Sequence, residues 1–438
     1  MDWKIILEIL VILGALAMGA RTGGVGLGLW GAVGLLVLVV VFRLPPGSIP
    51  GDVLLIVLTV IMAASAMEVA GGIDFLVSVA EKIIRKNPKQ VTIVAPLVTY
   101  GFTFAAGTGH IVYPLLPVIY EVAHENGIRP ERPMAVATIA SQQAITASPV
   151  SAATAAMITM LGSHGYGLVQ ILLICVPSTL LAVIIAAIVQ LRVGKELKDD
   201  PEYQRLLASG ELKPAEKSGS AEPLPLKKSA KASALIFFVG VILVVIAGIS
   251  KNFRTVNGFE VTMPNAIAIV MLTVAAVILM VGKVPAGEVP KSKTCQSGVS
   301  AIVGILGLAW LGDTFMDANS EVIIGGLKHM ATAAPWSFSI GLFVASMLLF
   351  SQAATAKTLM PLGLSLGIPV PLLIGMFPAV NGYFFIPNYG TIIAAMQFDR
   401  SGTTRIGKYL LNHSFMLPGM ICTVGAVGFG MLIGKLFF

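Results

Sequence analysis

The residues able to do chemistry in this chain fall where its apolar runs break. They are Thr108, Gly109, His110, Gln142, Gln143, Ser148, Ser151, Gln352, Thr355, Lys357, Asn381, Asn388 and Thr391, the candidate ligand-binding set. Most are neutral hydrogen-bonding groups, which hold a ligand without making its release costly. Ser148 reads as a helix N-cap with Pro149 at the first helical position, and Thr108 as a second cap. Equivalent starts fall near Thr355 and near Pro387-Asn388. Each start offers free N–H groups and a positive dipole end. Four of them converging at mid-membrane would suit an anion with two carboxylates. Lys357 is the sharpest single residue, because an ammonium inside a membrane segment is expensive and usually functional; the alternative is a counter-charge to Asp313 or Asp317. His110 is either satisfied locally at a turn or a substrate or proton group. Glu68, Asp313 and Asp317 sit near span ends, where structural pairing is expected.

These residues need elements to position them, and composition says which. Hydrophobic residues make up 56% of the 438, charged residues 12%, and mean hydropathy is +0.88. Soluble chains are about 25% charged, so the expectation is an all-α polytopic membrane protein embedded in a lipid bilayer. The net charge of +7 lies in loops between apolar spans, which argues for topology signals and against nucleic acid. Cys175, Cys295 and Cys422 have no paired spacing and no His partner, so no disulfide framework, metal or cofactor is expected. No His-Glu-x-x-His or Gly-x-Ser-x-Gly pattern suggests an enzyme.

The central stretch runs from Pro88 to Met157. Two apolar arms, Val91 to Ala106 and Ile111 to Val122, flank Gly107-Thr108-Gly109-His110. Each is shorter than the roughly 20 residues a helix needs to cross a bilayer, so together they read as a re-entrant hairpin. Ser148-Pro149-Val150-Ser151 then interrupts an apolar run, as in a discontinuous helix. Irregular backbone at membrane depth is tolerated only inside protein or beside a cavity. Before the hairpin come spans at 5–20, 22–42 and 53–71 and an amphipathic interfacial stretch from Asp74 to Lys86. Arg21 and the acidic Asp2 and Glu8 argue for a first membrane helix over a signal peptide. A span at 166–191 follows. The second half has spans near 233–250, 264–282 and 298–316, an interfacial stretch at 320–331, a hairpin at 336–367, a broken span at 370–397 and a last span at 410–434.

The same grammar recurs 247 residues later: Thr108 aligns with Thr355, Pro114 with Pro361, Pro88 with Pro335, and His110 with Lys357. With a small shift, Ser148-Pro149 meets Ile386-Pro387. If the 192–231 linker is cytoplasmic, that side carries 22 of the 29 Lys and Arg and the other side six. Both termini are then outside, and five spans per half make the repeats inverted, the arrangement of secondary transporters. The expected division is scaffold spans at 1–72 and 232–319, transport units at 73–191 and 320–438, and a linker at 192–231.

Three stretches carry a resemblance: Gly107-Thr108-Gly109-His110-Ile111-Val112-Tyr113-Pro114, Ser141-Gln142-Gln143 through Ser148-Pro149-Val150-Ser151, and Gln397-Phe398-Asp399-Arg400-Ser401-Gly402-Thr403-Thr404. Over essentially its whole length the chain resembles the anaerobic four-carbon dicarboxylate transporter (Dcu) family, closest to the DcuA type. The resemblance implies a carrier in the bacterial inner membrane for fumarate, succinate, malate and aspartate, commonly by exchange. It also allows a second role beside a membrane sensor kinase, with Asp399 to Lys408 as one contact. The wider ion transporter superfamily is similar in its paired hairpins and adds the expectation of a homodimer with an elevator motion. Its Ser-Asn-Thr hairpin triplets are Gly107-Thr108-Gly109 and Ala354-Thr355-Ala356 here, so its sodium sites do not carry over. The competing readings are a proton- or sodium-coupled symporter of a related organic anion, and a channel.

Overall fold

The computed structural model describes residues 3–22, 25–49, 51–212, 226–250, 252–315, 317–319, 334–349, 351–387, 389–407 and 411–438. They are mostly helical. In order, the first helices are α1 (Trp3–Thr22), α2 (Gly26–Val40), α3 (Gly51–Val69) and the amphipathic α4 (Gly72–Lys86). The first hairpin is α5 (Val91–Ala106) and α6 (Leu115–Glu125), and the first broken helix is α7 (Glu131–Ala147) with α8 (Ala152–Leu161). Next come α9 (Leu168–Gln190), a short α10 (Pro201–Ala208) in the linker, α11 (Ala230–Ile249) and α12 (Met263–Gly282). Helix α13 (Lys293–Gly304) continues through a π turn, Ile305–Ala309. The last elements are α14 (Ser337–Leu349), α15 (Gln352–Ser365), α16 (Val370–Met376) running into a 3-10 stretch at Phe377–Phe384, α17 (Gly390–Phe398) and α18 (Met416–Phe437). A two-residue hairpin pairs Thr255-Val256 with Phe259-Glu260.

Each expected span lies on one of these helices. Among the described residues, seven helices are long and apolar enough to cross a membrane: Gly51–Val69, Glu131–His164, Leu168–Gln190, Ala230–Ile249, Met263–Gly282, Lys293–Asn319 and Met416–Phe437. Gly28–Val40, Ser337–Met347 and Val370–Phe384 are apolar but shorter. The interfacial stretch expected at 320–331 lies outside the described residues. Helix α4 buries Leu76, Val77, Ala80 and Ile84 on one face. On the other, Arg85 bridges Glu81 at 2.8 Å and Glu121 at 2.9 Å, which fixes α4 to the base of α6.

Two groups of close helix contacts stand out, and buried apolar residues run from one into the other. Helices α3, α11, α12 and α13 lie on one another, and α2 lies against α13 and its π turn. A Cβ on Gly307 would fall 1.8 Å from the Gly28 carbonyl, so this crossing brings backbone onto backbone. A buried polar brace joins α1 to the end of the α13 helix, Asn319 Nδ2 donating to Glu8 Oε2 at 2.7 Å. In the other group α7 is the centre, packed on α5, α9 and α18. Almost every residue from Glu131 to Ala147 is buried, although the helix is built largely of Ala, Thr, Ser and Gln. Small side chains let neighbours approach closely, and the polar ones then meet protein on every side.

Candidate functional site

Helix α7 ends at Ser148, whose backbone is extended, and Pro149 cannot continue the ladder. The restart is capped by Ser151, whose Oγ accepts from Thr154 N at 3.1 Å. This corrects the expected cap by three residues: Ser148 Oγ instead donates to Phe104 O at 2.6 Å, tying the break to the first hairpin arm. Ser151 Oγ also donates to Ile145 O at 2.7 Å, so both serines are satisfied within the fold.

The first arm stops at Gly107, whose φ of +72° favours glycine. A Cβ there would lie 2.8 Å from Val150 O, so the hairpin tip rests on the break in α7–α8. Thr108 is extended and caps a short 3-10 turn, Gly109–Val112, accepting from His110 N at 3.4 Å. The His110 ring stacks on Tyr113 with centroids 5.9 Å apart. Gly109 faces Gln142 so closely that a Cβ would lie 2.3 Å from Gln142 Nε2.

In the second hairpin the cap is Ser351, not Thr355. Ser351 Oγ accepts from Ala354 N at 3.2 Å, while Thr355 sits a turn inside α15 and donates to Ser351 O at 2.8 Å. The 247-residue register points at Thr355; the serine that closes the preceding apolar run was the available signal. Lys357 lies on another face of α15, 3.4 Å from Asp313 Oδ2, beside the contact between Thr358 and Gly312. The structure thus places it in the counter-charge geometry, away from the amides described next.

The second broken helix loosens over a longer stretch than the expected Ile386-Pro387. Asn381 already leaves helical geometry, at φ −97° and ψ 32°, and α17 restarts after the extended Tyr389. Four amide side chains and one threonine meet there. Gln352 Nε2 donates to Gln142 Oε1 at 3.0 Å and to Asn381 Oδ1 at 3.3 Å. Asn381 Nδ2 donates to Gln143 Oε1 at 3.2 Å, and Gln143 Nε2 donates to Thr423 Oγ1 at 3.1 Å. A second tip, two broken helices and α18 therefore join through neutral amides, with the first tip, at Gly109, lying against Gln142. Thr423 was not anticipated, because a lone Thr in an apolar 22-residue helix carries no pattern. Thr391 is fully buried at the start of α17, and its Oγ1 has no partner among the described residues. Asn388 lies outside the described residues.

Thr108, His110 and Tyr113 also line an opening of about 660 Å³ whose other wall is Ala64, Met67, Glu68, Lys293 and Thr294. Glu68 caps α13, its carboxylate accepting from Lys293 N at 3.2 Å and Thr294 N at 2.9 Å. Among the described residues no group of His, Cys, Asp and Glu could hold a metal ion.

A second polar region surrounds the start of α7. Arg129 bonds Glu131 Oε2 and Asp200 Oδ2, both at 2.5 Å. Arg132 holds Val193 O at 2.8 Å and Glu196 at 3.0 Å, and Tyr203 OH lies 3.2 Å from His124 Nε2. Burial alone would raise the Asp200 carboxyl, but Arg129 and the first amides of α10 hold it below its ordinary value. Asp399 gathers Ser401, Thr403 and Thr404, and Thr403 Oγ1 accepts from Glu131 N at 3.1 Å. The Gln397–Thr404 stretch therefore docks on the head of α7.

A mostly helical chain with seven membrane-length helices among its described residues, its irregular turns gathered on a buried polar cluster, is a multi-pass membrane protein. The chain belongs to the anaerobic C4-dicarboxylate membrane transporter family, which it matches over residues 4–438. It is 43% identical over 434 residues to the C4-dicarboxylate transporter DcuA of Wolinella succinogenes, covering 99% of both chains. Against the protein of that name from Escherichia coli K12 it is again 43% identical, over 98% of this chain and 99% of that one. The anaerobic C4-dicarboxylate transporter DcuB of Escherichia coli O6:H1 is 38% identical over 98% of each chain.

Proposed function

We propose that this protein carries four-carbon dicarboxylates (fumarate, succinate, malate and aspartate) across the bacterial inner membrane, by exchange. The observation that carries the reading is the amide cluster of Gln142, Gln143, Gln352 and Asn381, at which the second hairpin tip and both broken helices meet beside the first tip. Uncharged donors and the helix starts at Ser151 and Ser351 suit a dianion that must also leave. The names of the relatives, which are C4-dicarboxylate transporters, agree with that chemistry. In this reading 1–72 and 232–319 form the scaffold and dimer surface, while 73–191 and 320–438 form inverted units that move as an elevator. The termini then face the periplasm.

The test is counterflow. Purified protein in vesicles loaded with succinate is given labelled fumarate or aspartate outside. Saturable uptake that internal succinate accelerates is the expected result. Uptake into empty vesicles driven by a proton or sodium gradient would replace exchange with symport, and flux that never saturates would point to a channel.

A further inference from the structure

The direction of hydrogen bonds in a chain of amides is fixed wherever one member meets a group that can only accept. Asn381 meets one: its Nδ2 donates to the Pro378 carbonyl at 3.1 Å. That turns Oδ1 toward Gln352, whose Nε2 must donate to it, and the same Nε2 donates to Gln142 Oε1. The oxygen of Gln142 is thereby committed. Its NH2 group points the other way, against Gly109, and no described residue accepts from it. Gln142 is only 1% exposed as a residue, but its Nε2 is not among the fully enclosed unpartnered atoms, so an unspent donor is left at the edge of the buried cluster where an acceptor can reach it. A carboxylate, which only accepts, is the group that such a donor suits.

We infer that Gln142 Nε2 is the donor for one substrate carboxylate, that Asn381 is the positioning residue that sets its polarity from the Pro378 carbonyl, and that the Gly109 tip covers this donor until it lifts. The inference rests on the dicarboxylate reading and adds a specificity rule to it. The end of the substrate that meets Gln142 is read as a pure acceptor, so a dianion is favoured over its half-amide.

The experiment compares succinate with its half-amide, succinamate, as competitors of labelled succinate counterflow in wild type, Gln142→Glu and Asn381→Leu. Gln142→Glu keeps the shape but puts a carboxyl where the donor was. It is expected to raise the succinate KM at least tenfold and to weaken succinamate far less, since the half-amide can donate to Glu. Asn381→Leu lets Gln352 and Gln142 reverse; it is expected to raise the succinate KM and narrow the succinate-to-succinamate selectivity ratio, a change that mere loss of folded protein would not produce. Succinate-induced thermal stabilisation of each purified variant reports the same order and identifies any variant that fails to fold. Wild-type counterflow combined with an unchanged ratio in Gln142→Glu would overturn the donor assignment. Wild type without counterflow would instead overturn the dicarboxylate reading beneath it.

Discussion

At the scale of single residues, the two hairpin tips use different devices. Gly109 is required by close approach, because any side chain would enter the Gln142 amide. Gly109→Ala is expected to lower counterflow at least tenfold while leaving melting within a few degrees, since the displaced group is one side-chain end. Ser351 works as a cap, and caps contribute about 1 kcal/mol. Ser351→Ala should lower the melting temperature and raise KM several-fold by loosening Gln352 at the first helical position; unchanged KM would place the tip outside the site. Which of these residues could be read from the sequence follows from local pattern. Thr108, Gly109, Gln142, Gln352 and Asn381 interrupt apolar runs and were legible. Ser351 and Thr423 were not, the first because the internal repeat pointed four residues downstream, the second because nothing marks it within α18. Contact across 280 residues between Gln143 and Thr423 is a fact of packing alone.

Elements were more legible than contacts. The arm Val91–Ala106 ends where its Gly107-Thr108 tip says it should, because a positive-φ glycine and a β-conformation cap are local features. Helix α10 was hidden in a polar linker, although Asp200-Pro201 is a cap followed by proline at the first turn, a start signal that was there to use. Its docking predicts a pH response. The Asp200 carboxyl is depressed in the folded protein, so its contribution is full above the ordinary carboxylate value and is lost as pH falls through the lower folded value. Proteolysis near α10 should therefore accelerate only in strong acid for wild type, and already at neutral pH for Asp200→Asn. Between α15 and the α13 helix, Lys357 and Asp313 form another inter-element tie. Removing one member of a largely buried pair costs roughly 3–5 kcal/mol, so Lys357→Ala should lower stability and transport together. The exchange Lys357→Asp with Asp313→Lys restores both if the pair is structural. If Lys357 also meets substrate, as its sequence position suggested, stability returns and counterflow does not.

For the whole molecule, one corner has an uneven consequence. The end of α3 is tied to the head of α13 through Glu68, and to the approach to α11 through Lys227, which donates to Val69 O at 2.8 Å, and Ser229, which donates to Ala70 O at 2.9 Å. Helices α3 and α13 are thus riveted where they form one bank of the 660 Å³ opening, with the start of α11 tied in behind them. The opposite bank is the hairpin tip, seated on the break by Gly107 and Ser148. A channel of water with one stone bank and one earthen bank widens on the earthen side. Spin labels at Val69 and Lys228 should keep their separation when substrate is added, while labels at Val69 and Pro117 change theirs.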